Sequence, residues 1–362
     1  MAHINLDTKA IQDDMMLTGK RYIKFLKSGA FLEENPEWPF DVVKMHDIMH
    51  DFALHLSGYE FLTLVNSDNS DISHQTSKSF SYLGSKKARH LFVRGTIKPT
   101  SFSNVGKLPT CHVKRVPQNV ILDLIKQLKV VKALYLSDCN LEELPEDIGK
   151  LIHLRTLDLS ANQKLRPIPE TIGELYNLQF LFLEDLGYFF NPSLLPETLG
   201  KLINLQELKE FPVVIGKSKL GGERFLPNWL TSLSYLKELR LFDNEGSLST
   251  PSLGKLPSLE KLYIEYFPVL KYIGRGFIGL EDNTTNKQVS VIFPKLLLLE
   301  LSNCGMLEEW EDIKAEDEDT IIVMSKLKCL RIIRCDNLKV LPHRLIRKAT
   351  SLEELTFPDG EL

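Results

Sequence analysis

The apolar residues of this chain return again and again in the phrase L-x-x-L-x-L, each time followed by a polar turn. VKALYLSDCNLEELP begins at Val131, LRTLDLSANQKLRPIP at Leu154 and LQFLFLEDL at Leu178. Later copies are LKELRLFDN from Leu236, LEKLYIEYF from Leu259, LLLLELSNCGMLEEW from Leu296, LKCLRIIRCDNLKVLP from Leu327 and LEELTF from Leu352. A degenerate copy, LQELKEF, begins at Leu205. Within each phrase the alternation puts Leu134 and Leu136, Leu157 and Leu159, and Leu181 and Leu183 on one face of a short strand. Three positions after the second apolar residue stand Cys139, Asn162, Asn244, Cys304 and Cys335. That slot falls in the turn leaving the strand, where an amide or a thiol can satisfy backbone groups of the neighbouring coil.

Between the strands a second phrase recurs almost verbatim: LPEDIGKL at Leu144, IPETIGEL at Ile168 and LPETLGKL at Leu195. Proline after an apolar residue, then an amphipathic turn closing on Gly and Leu, predicts a short helix or 3₁₀ turn on the opposite, convex side. The steps from 131 to 154, 154 to 178 and 178 to 205 lie near the 20–29 residues of a leucine-rich repeat. Later steps such as 259 to 296 are longer and carry loop insertions. No single repeat buries its own apolar face, so stability comes from stacking neighbours. The expected fold is an α/β solenoid, a leucine-rich-repeat horseshoe with a parallel β-sheet on its concave face.

The flanking pattern is different. Residues 1–60 read as a partial winged-helix domain, with GKRYIKFLKSGAF as an amphipathic segment, EENPEWP as a turn, and DVVKMHDIMHDFALHLSG as a strand running into a helix that stops at Gly58. Residues 61–87, including the polar NSDNSDISHQTSK, read as a linker, and 88–362 as the repeat domain, with ARHLFV from Ala88 as its first strand before a less regular stretch to Gln127. The polar insertions at 281–290 and 308–319 read as mobile excursions, the second an acidic, solvated loop.

Composition narrows the setting. The 362 residues hold 44 Lys+Arg against 48 Asp+Glu, a net charge of −4, which excludes the overall basic character of a nucleic-acid-binding domain. Five cysteines are too few, and odd in number, for a disulfide scaffold. Of these, Cys139, Cys304 and Cys335 have a structural reading in the turn slot, Cys329 lies in a strand, and Cys111 fits no part of the pattern. The opening MAHINLDTKAIQDDMM is too polar for a signal peptide, and no apolar run approaches the ~20 residues of a spanning helix. A cytoplasmic, reducing location is the expectation.

Candidate chemistry is sparse. His46 and His50 stand four apart, as in H-E-x-x-H zinc sites, but the following residue is Asp47, one methylene shorter than the Glu such a base needs. Asp47 reads instead as a carboxylate near a helix N-cap. Gly216-Lys217-Ser218 imitates the end of a phosphate loop, yet the position of the earlier glycine is Phe211. Asn283-Thr284-Thr285 is a formal glycosylation sequon in a polar loop. No nucleophile signature is present, and the chain reads as a non-enzyme without a metal. The outward strand positions are more informative: Tyr135, Asp158, Phe182, Arg240, Tyr263, Glu300 and Arg331, with Phe242 and Tyr266 nearby. Aromatics and Arg in a row are what a protein-binding surface uses, and lateral packing between strands is the competing reading.

KMHDIMHDFA, from Lys44, resembles the MHD motif that closes the nucleotide-binding region of plant NB-LRR disease-resistance proteins. GKRYIKFLKSGAF is similar to that family's winged-helix stretch, KKARHLF from Lys86 to the entry of its repeats, and LPEDIGKLIHLRTLDLS to the repeats themselves. The resemblance implies an intracellular immune receptor whose repeats recognise a pathogen effector or a modified host protein and restrain a nucleotide-dependent switch. It also implies that His46 contacts the phosphates of ADP and that Asp47 holds the resting state. The phosphate loop, the acidic metal-binding strand and the signalling domain of the family are absent from the sequence, so a truncated product or partial gene model is expected. ADP or ATP then belongs to the full-length family rather than to this chain alone. A stand-alone leucine-rich-repeat scaffold in signalling, similar to the Ras-pathway repeat scaffolds, is the alternative.

Overall fold

In the computed structural model the described residues are 60–65, 88–95, 105–166, 168–186, 195–212, 227–242, 252–268, 270–280, 290–315, 318 and 320–357, together with the backbone of two short strands, 32–34 and 43–45. The chain divides into two compact units, Met1–Phe61 and Leu62–Leu362. In the first, β1 (Leu32–Glu34) pairs antiparallel with β2 (Val43–Met45). The strand expected ahead of the MHD motif is therefore present. The winged helix itself, and His46, Asp47, His50 and Asp51, lie outside the described residues.

The repeats build one 12-stranded sheet among the described residues. Its strands in chain order are β3 (Phe61–Val65), β4 (His90–Arg94), β5 (Thr110–Lys114), β6 (Ala133–Tyr135), β7 (Thr156–Asp158), β8 (Phe180–Phe182), β9 (Glu207–Pro212), β10 (Glu238–Phe242) and β11 (Lys261–Glu265). β14 (Leu298–Ser302), β17 (Cys329–Ile333) and β18 (Glu354–Thr356) complete it, while β12 (Tyr272–Ile273) with β15 (Glu309–Trp310), and β13 (Ser290–Ile292) with β16 (Ile321–Val323), form separate parallel pairs. From β4 onward each strand of the large sheet pairs in parallel with the next in this order. The predicted leucines Leu134, Leu136, Leu157, Leu159, Leu181 and Leu183 are all buried in a single continuous core. Cys111 now has its explanation: it stands in β5 between Leu91 and Leu134 and fills a leucine position of the core.

The opposite wall is made of 3₁₀ turns at Glu146–Lys150, Glu170–Glu174, Glu197–Lys201 and Asn228–Ser232, the first three of them the LPEDIGKL family of phrases. Each starts after a proline and closes on Leu. Successive turns stack so closely that a Cβ at Gly149 would lie 2.6 Å from the Thr171 carbonyl oxygen. The glycine of the phrase is thus the condition for the repeats to approach, with its missing side chain as the contact surface.

The turn slot works as its chemistry predicts. Asn162, 0% exposed, accepts from the backbone amides of Cys139 (3.0 Å) and Leu141 (3.1 Å) and donates to the carbonyls of Leu136 (2.8 Å) and Leu159 (2.7 Å). Cys139 donates its thiol to Val113 in the preceding coil (3.3 Å) and to Ser137 (3.4 Å). Cys304 reaches Ile264 (3.9 Å) and Ser302 (3.5 Å), and Cys335 reaches Leu301 (3.8 Å) and Ile333 (3.5 Å). The residue just before each slot turns left-handed: φ is +55° at Asp138, +58° at Ala161, +55° at Asn303 and +52° at Arg334. That turn aims the buried polar side chain back at the previous coil.

Three expectations change. β3 falls inside the segment read as a linker, so the sheet begins upstream of residue 88. FLTLV has the period of a strand but not the repeat phrase, and only stacking reveals its place. Within the stretch read as less regular, residues 118–127 form α1 (Gln118–Gln127), which buries Val120, Ile121, Leu124 and Ile125. The acidic segment 308–319 is not simply a solvated loop. β15 (Glu309–Trp310) pairs with β12 (Tyr272–Ile273), and Glu311 accepts from the Tyr272 hydroxyl and the Arg275 amide (3.0 Å for the latter). Asp312 accepts from the amides of Arg344 and Leu345, each at 2.9 Å, at the start of α2 (His343–Lys348). Glu318 pairs with Arg344 (3.8 Å) and Arg347 (2.7 Å). The acidic charge density ties the insertion to a basic helix a repeat away.

Candidate partner-binding surface

The strand register decides which outward side chains meet. In one row the alignment runs Phe92, His112, Tyr135, Asp158 and Phe182 across β4 to β8. Beyond β9 it resumes as Arg240, Tyr263, Glu300 and Arg331 across β10 to β17. Between them the pairing of β9 and β10 slips: Leu239 faces Leu208, but Leu241 faces Phe211. The cause is in the degenerate copy, where Glu210 occupies the second apolar position and the chain takes one extra residue to bring Phe211 into line. Tyr135, Asp158, Phe182, Arg240, Tyr263 and Arg331 therefore share a row. Phe242 lies two residues further along β10, and the exposed Tyr266 sits in the turn after β11, with its ring centroid 5.0 Å from that of Phe242.

The two halves of the row differ chemically. In the first half the rings touch. Phe92 and His112 meet edge to face at 5.1 Å, and His112 and Tyr135 are tilted at 5.4 Å. All are half-buried, as is Phe182. Burial holds His112 below the usual imidazole range, the Asp158 carboxylate working against that shift and Lys114 with it. Burial likewise raises the Tyr135 hydroxyl, and Asp158 adds to the shift. Asp158 itself accepts from the Ser160 amide at 2.9 Å, so its carboxylate also shapes the turn leaving β7.

In the second half the charges are already spent on one another. Arg240 lies 4.0 Å over the Tyr263 ring and pairs with Glu238 (3.4 Å) and Glu265 (3.7 Å). Lys261 holds the other oxygen of Glu238 at 3.2 Å. Arg331 forks onto Glu354 at 2.9 and 3.3 Å and stands 3.9 Å from Glu300. Here the lateral-packing reading of these positions describes what the side chains do. Phe92, His112, Lys261, Glu238, Glu265 and Glu354 are absent from the sequence-based candidates. The first two lie on strands without the L-x-x-L-x-L phrase, where only the alternation in HLFVR and TCHVK marks the outward face. The rest become visible only once the register is known.

No group of three His, Cys, Asp or Glu among the described residues could hold a metal. Burial pushes the Cys111 thiol up to about 12 and the Cys139 thiol up to about 11, so both are inert packing groups. The segments 216–218 and 283–285 lie outside the described residues, as do His46 and Asp47. No helix among the described residues is long and apolar enough to cross a membrane.

Comparison with known proteins agrees with the repeat architecture. Residues 101–266 match the family model described as a leucine-rich repeat region. An RPP13-like disease resistance protein of Arabidopsis thaliana is 35% identical over 119 residues, which are 32% of this chain and 11% of that protein. The Arabidopsis disease resistance protein At3g14460 is 30% identical over 149 residues, 39% of this chain and 10% of that one. The chain thus matches about a tenth of the length of these relatives. Among solved structures, one from the Toll–Spatzle complex of Drosophila covers 83% of this chain and 36% of its own, at a TM-score of 0.56 and 18% identity. That likeness is one of fold.

Proposed function

We propose that the ring-bearing half of this leucine-rich-repeat sheet, in a chain similar over part of its length to plant disease-resistance proteins, recognises a pathogen effector or a modified host protein. The observation that carries this reading is the half-buried run of touching rings Phe92, His112 and Tyr135, with Phe182 in the same row beyond Asp158. Rings of this kind offer large contact area with few rotatable bonds, and a partner gains by completing their burial. The ion-paired half around Arg240 and Arg331 is a weaker anchor, because a partner there must strip water from charges that are already satisfied.

In this reading the chain binds and does not catalyse, it works in the cytoplasm, and within a longer receptor it restrains a nucleotide-dependent switch. The His46 and Asp47 contact to ADP implied by the MHD resemblance falls outside the described residues, so no step is derived through a nucleotide. The test is a two-hybrid screen of this chain against secreted proteins of plant pathogens and a panel of host proteins. Partners are expected whose binding falls by more than about 1 kcal/mol on Tyr135→Ala or Phe182→Ala. Partners indifferent to both substitutions, with the variants still folded, would overturn the assignment to this face.

A further inference from the structure

A second surface lies on the edge of the solenoid, where the chain passes from the 3₁₀ wall to the sheet. Each passage is a tight turn closed by one hydrogen bond: Leu154 to Leu151 (2.8 Å), Leu178 to Leu175 (2.8 Å) and Leu205 to Leu202 (2.9 Å). The first residue at each tip is apolar and exposed, Ile152 by 39%, Tyr176 by 50% and Ile203 by 50%. The three tips are locked in line. Asn177 donates its side-chain amide to the Ile152 carbonyl, and Asn204 donates its own to Tyr176, both at 2.7 Å. Backbone bonds from Arg155 to Lys132 (2.7 Å) and from Gln179 to Arg155 (2.8 Å) run beside them. The row is therefore a rigid apolar ridge, held by groups that do not depend on its exposed side chains.

Cations surround it. Lys129, Lys132, Arg155 and Lys201 flank the tips, and none of them has a carboxylate within ion-pair distance among the described residues. Lys150 is paired with Asp147, and Glu174 is the acidic residue in the same column. In a chain of net charge −4 this edge is locally basic, in contrast to the self-neutralised charges beside Arg240. Exposed apolar side chains with a ring of unspent positive charge fit a partner whose apolar residues stand between carboxylates.

The spacing specifies its form. Neighbouring tips are separated by about one strand spacing, ~4.8 Å, close to the ~5.4 Å pitch of an α-helix. A helix laid along the ridge would bring its i, i+3 or i+4, and i+7 side chains opposite Ile152, Tyr176 and Ile203 in turn. We propose that this edge docks an acidic amphipathic helix of a partner protein, its apolar stripe on Ile152, Tyr176 and Ile203 and its carboxylates on the Lys129–Arg155 rim. The site is separate from the sheet face and does not rest on the function proposed for it.

The test is selection of a displayed random library of helical peptides on the whole chain, followed by affinity measurement of the enriched peptides. The expected peptides carry net negative charge and an i, i+3/i+4, i+7 apolar stripe. They should lose at least tenfold in affinity to an Ile152→Ser, Tyr176→Ser, Ile203→Ser variant, keep it with Phe182→Ala, and weaken as salt rises. Should the triple variant melt early, the charge reversal Lys132→Glu with Arg155→Glu makes the same test. Enrichment of neutral or basic peptides, binding indifferent to the edge variants, or failure of any edge-dependent peptide to emerge would overturn the proposal. Self-association of the chain through the same residues would overturn it as well.

Discussion

Replacing Asn162 by alanine removes four hydrogen bonds of 2.7 to 3.1 Å at a side chain that is 0% exposed. The donors left behind matter most. The Cys139 and Leu141 amides belong to residues that are themselves buried, and alanine offers them no acceptor. An orphaned buried donor costs about 1–3 kcal/mol, so two give about 2–6 kcal/mol. The stranded carbonyls of Leu136 and Leu159 add less, since each retains a second lone-pair direction. A loss of about 4 kcal/mol is comparable to the whole stability of many domains. Because repeats stabilise one another through their interfaces, it should open the coils on both sides of residue 162. Asn162→Cys provides the internal control: a thiol can donate to the preceding carbonyl as Cys139 does at 3.3 Å, but it cannot serve both amides. Urea unfolding followed by far-ultraviolet circular dichroism should therefore rank wild type above Asn162→Cys, and Asn162→Cys above Asn162→Ala. An alanine variant within about 0.5 kcal/mol of wild type, well inside the expected orphaning cost, would refute the reasoning, as would a cysteine variant no better than alanine.

Three further outcomes follow from the same geometry. Ala161→Gly, at φ +58°, should raise the unfolding midpoint by relieving a left-handed non-glycine residue, a net gain of about 0.5–1 kcal/mol after the entropy of the added glycine, measured in the same denaturation series. Gly149→Ala places a Cβ 2.6 Å from the Thr171 oxygen and should cost about 1–3 kcal/mol through displacement of the stacked turn, read as a lowered melting temperature. His112 is held below its ordinary pKa of 6.5, so the unfolded chain takes up its proton before the folded one as pH falls. The stability this residue contributes is present above pH 6.5 and is lost as pH drops through the folded pKa; His112→Gln should flatten that part of the stability–pH curve.

Legibility in the sequence followed the range of the interaction. The core leucines and the turn slots at Cys139, Asn162, Cys304 and Cys335 were readable because each depends on a residue's position within its own phrase, and the regular copies repeat the same environment. Asn162 and Cys139 could be assigned their task from spacing alone. β3 was not readable, since FLTLV alternates without carrying the phrase, and it becomes part of the sheet only through the strand beside it. The anchoring of the acidic segment was hidden for a related reason. Asp312 meets the Arg344 and Leu345 amides across more than one repeat of unequal length, and no local rule pairs them.

The sheet face shows why position and availability are separate questions. The repeat phrase fixes that Tyr135, Phe182, Arg240 and Arg331 all point outward. Whether each is available to a partner depends on what the register places beside it. Arg240 has Glu238 within its own strand and Glu265 on the next, and Arg331 has Glu354 at 2.9 Å, so both arginines are compensated before any partner arrives. Tyr135 and Phe182 instead neighbour Asp158, whose carboxylate is turned to the Ser160 amide. A charged side chain opposite another charge is largely neutralised, whereas a ring beside another ring still exposes area that a third surface can cover. The one-residue slip at β9 marks the boundary between these regimes, at the copy whose phrase carries Glu210 in place of the second leucine. Recognition on this face should accordingly concentrate before β9, and substitutions after it should change stability more than binding.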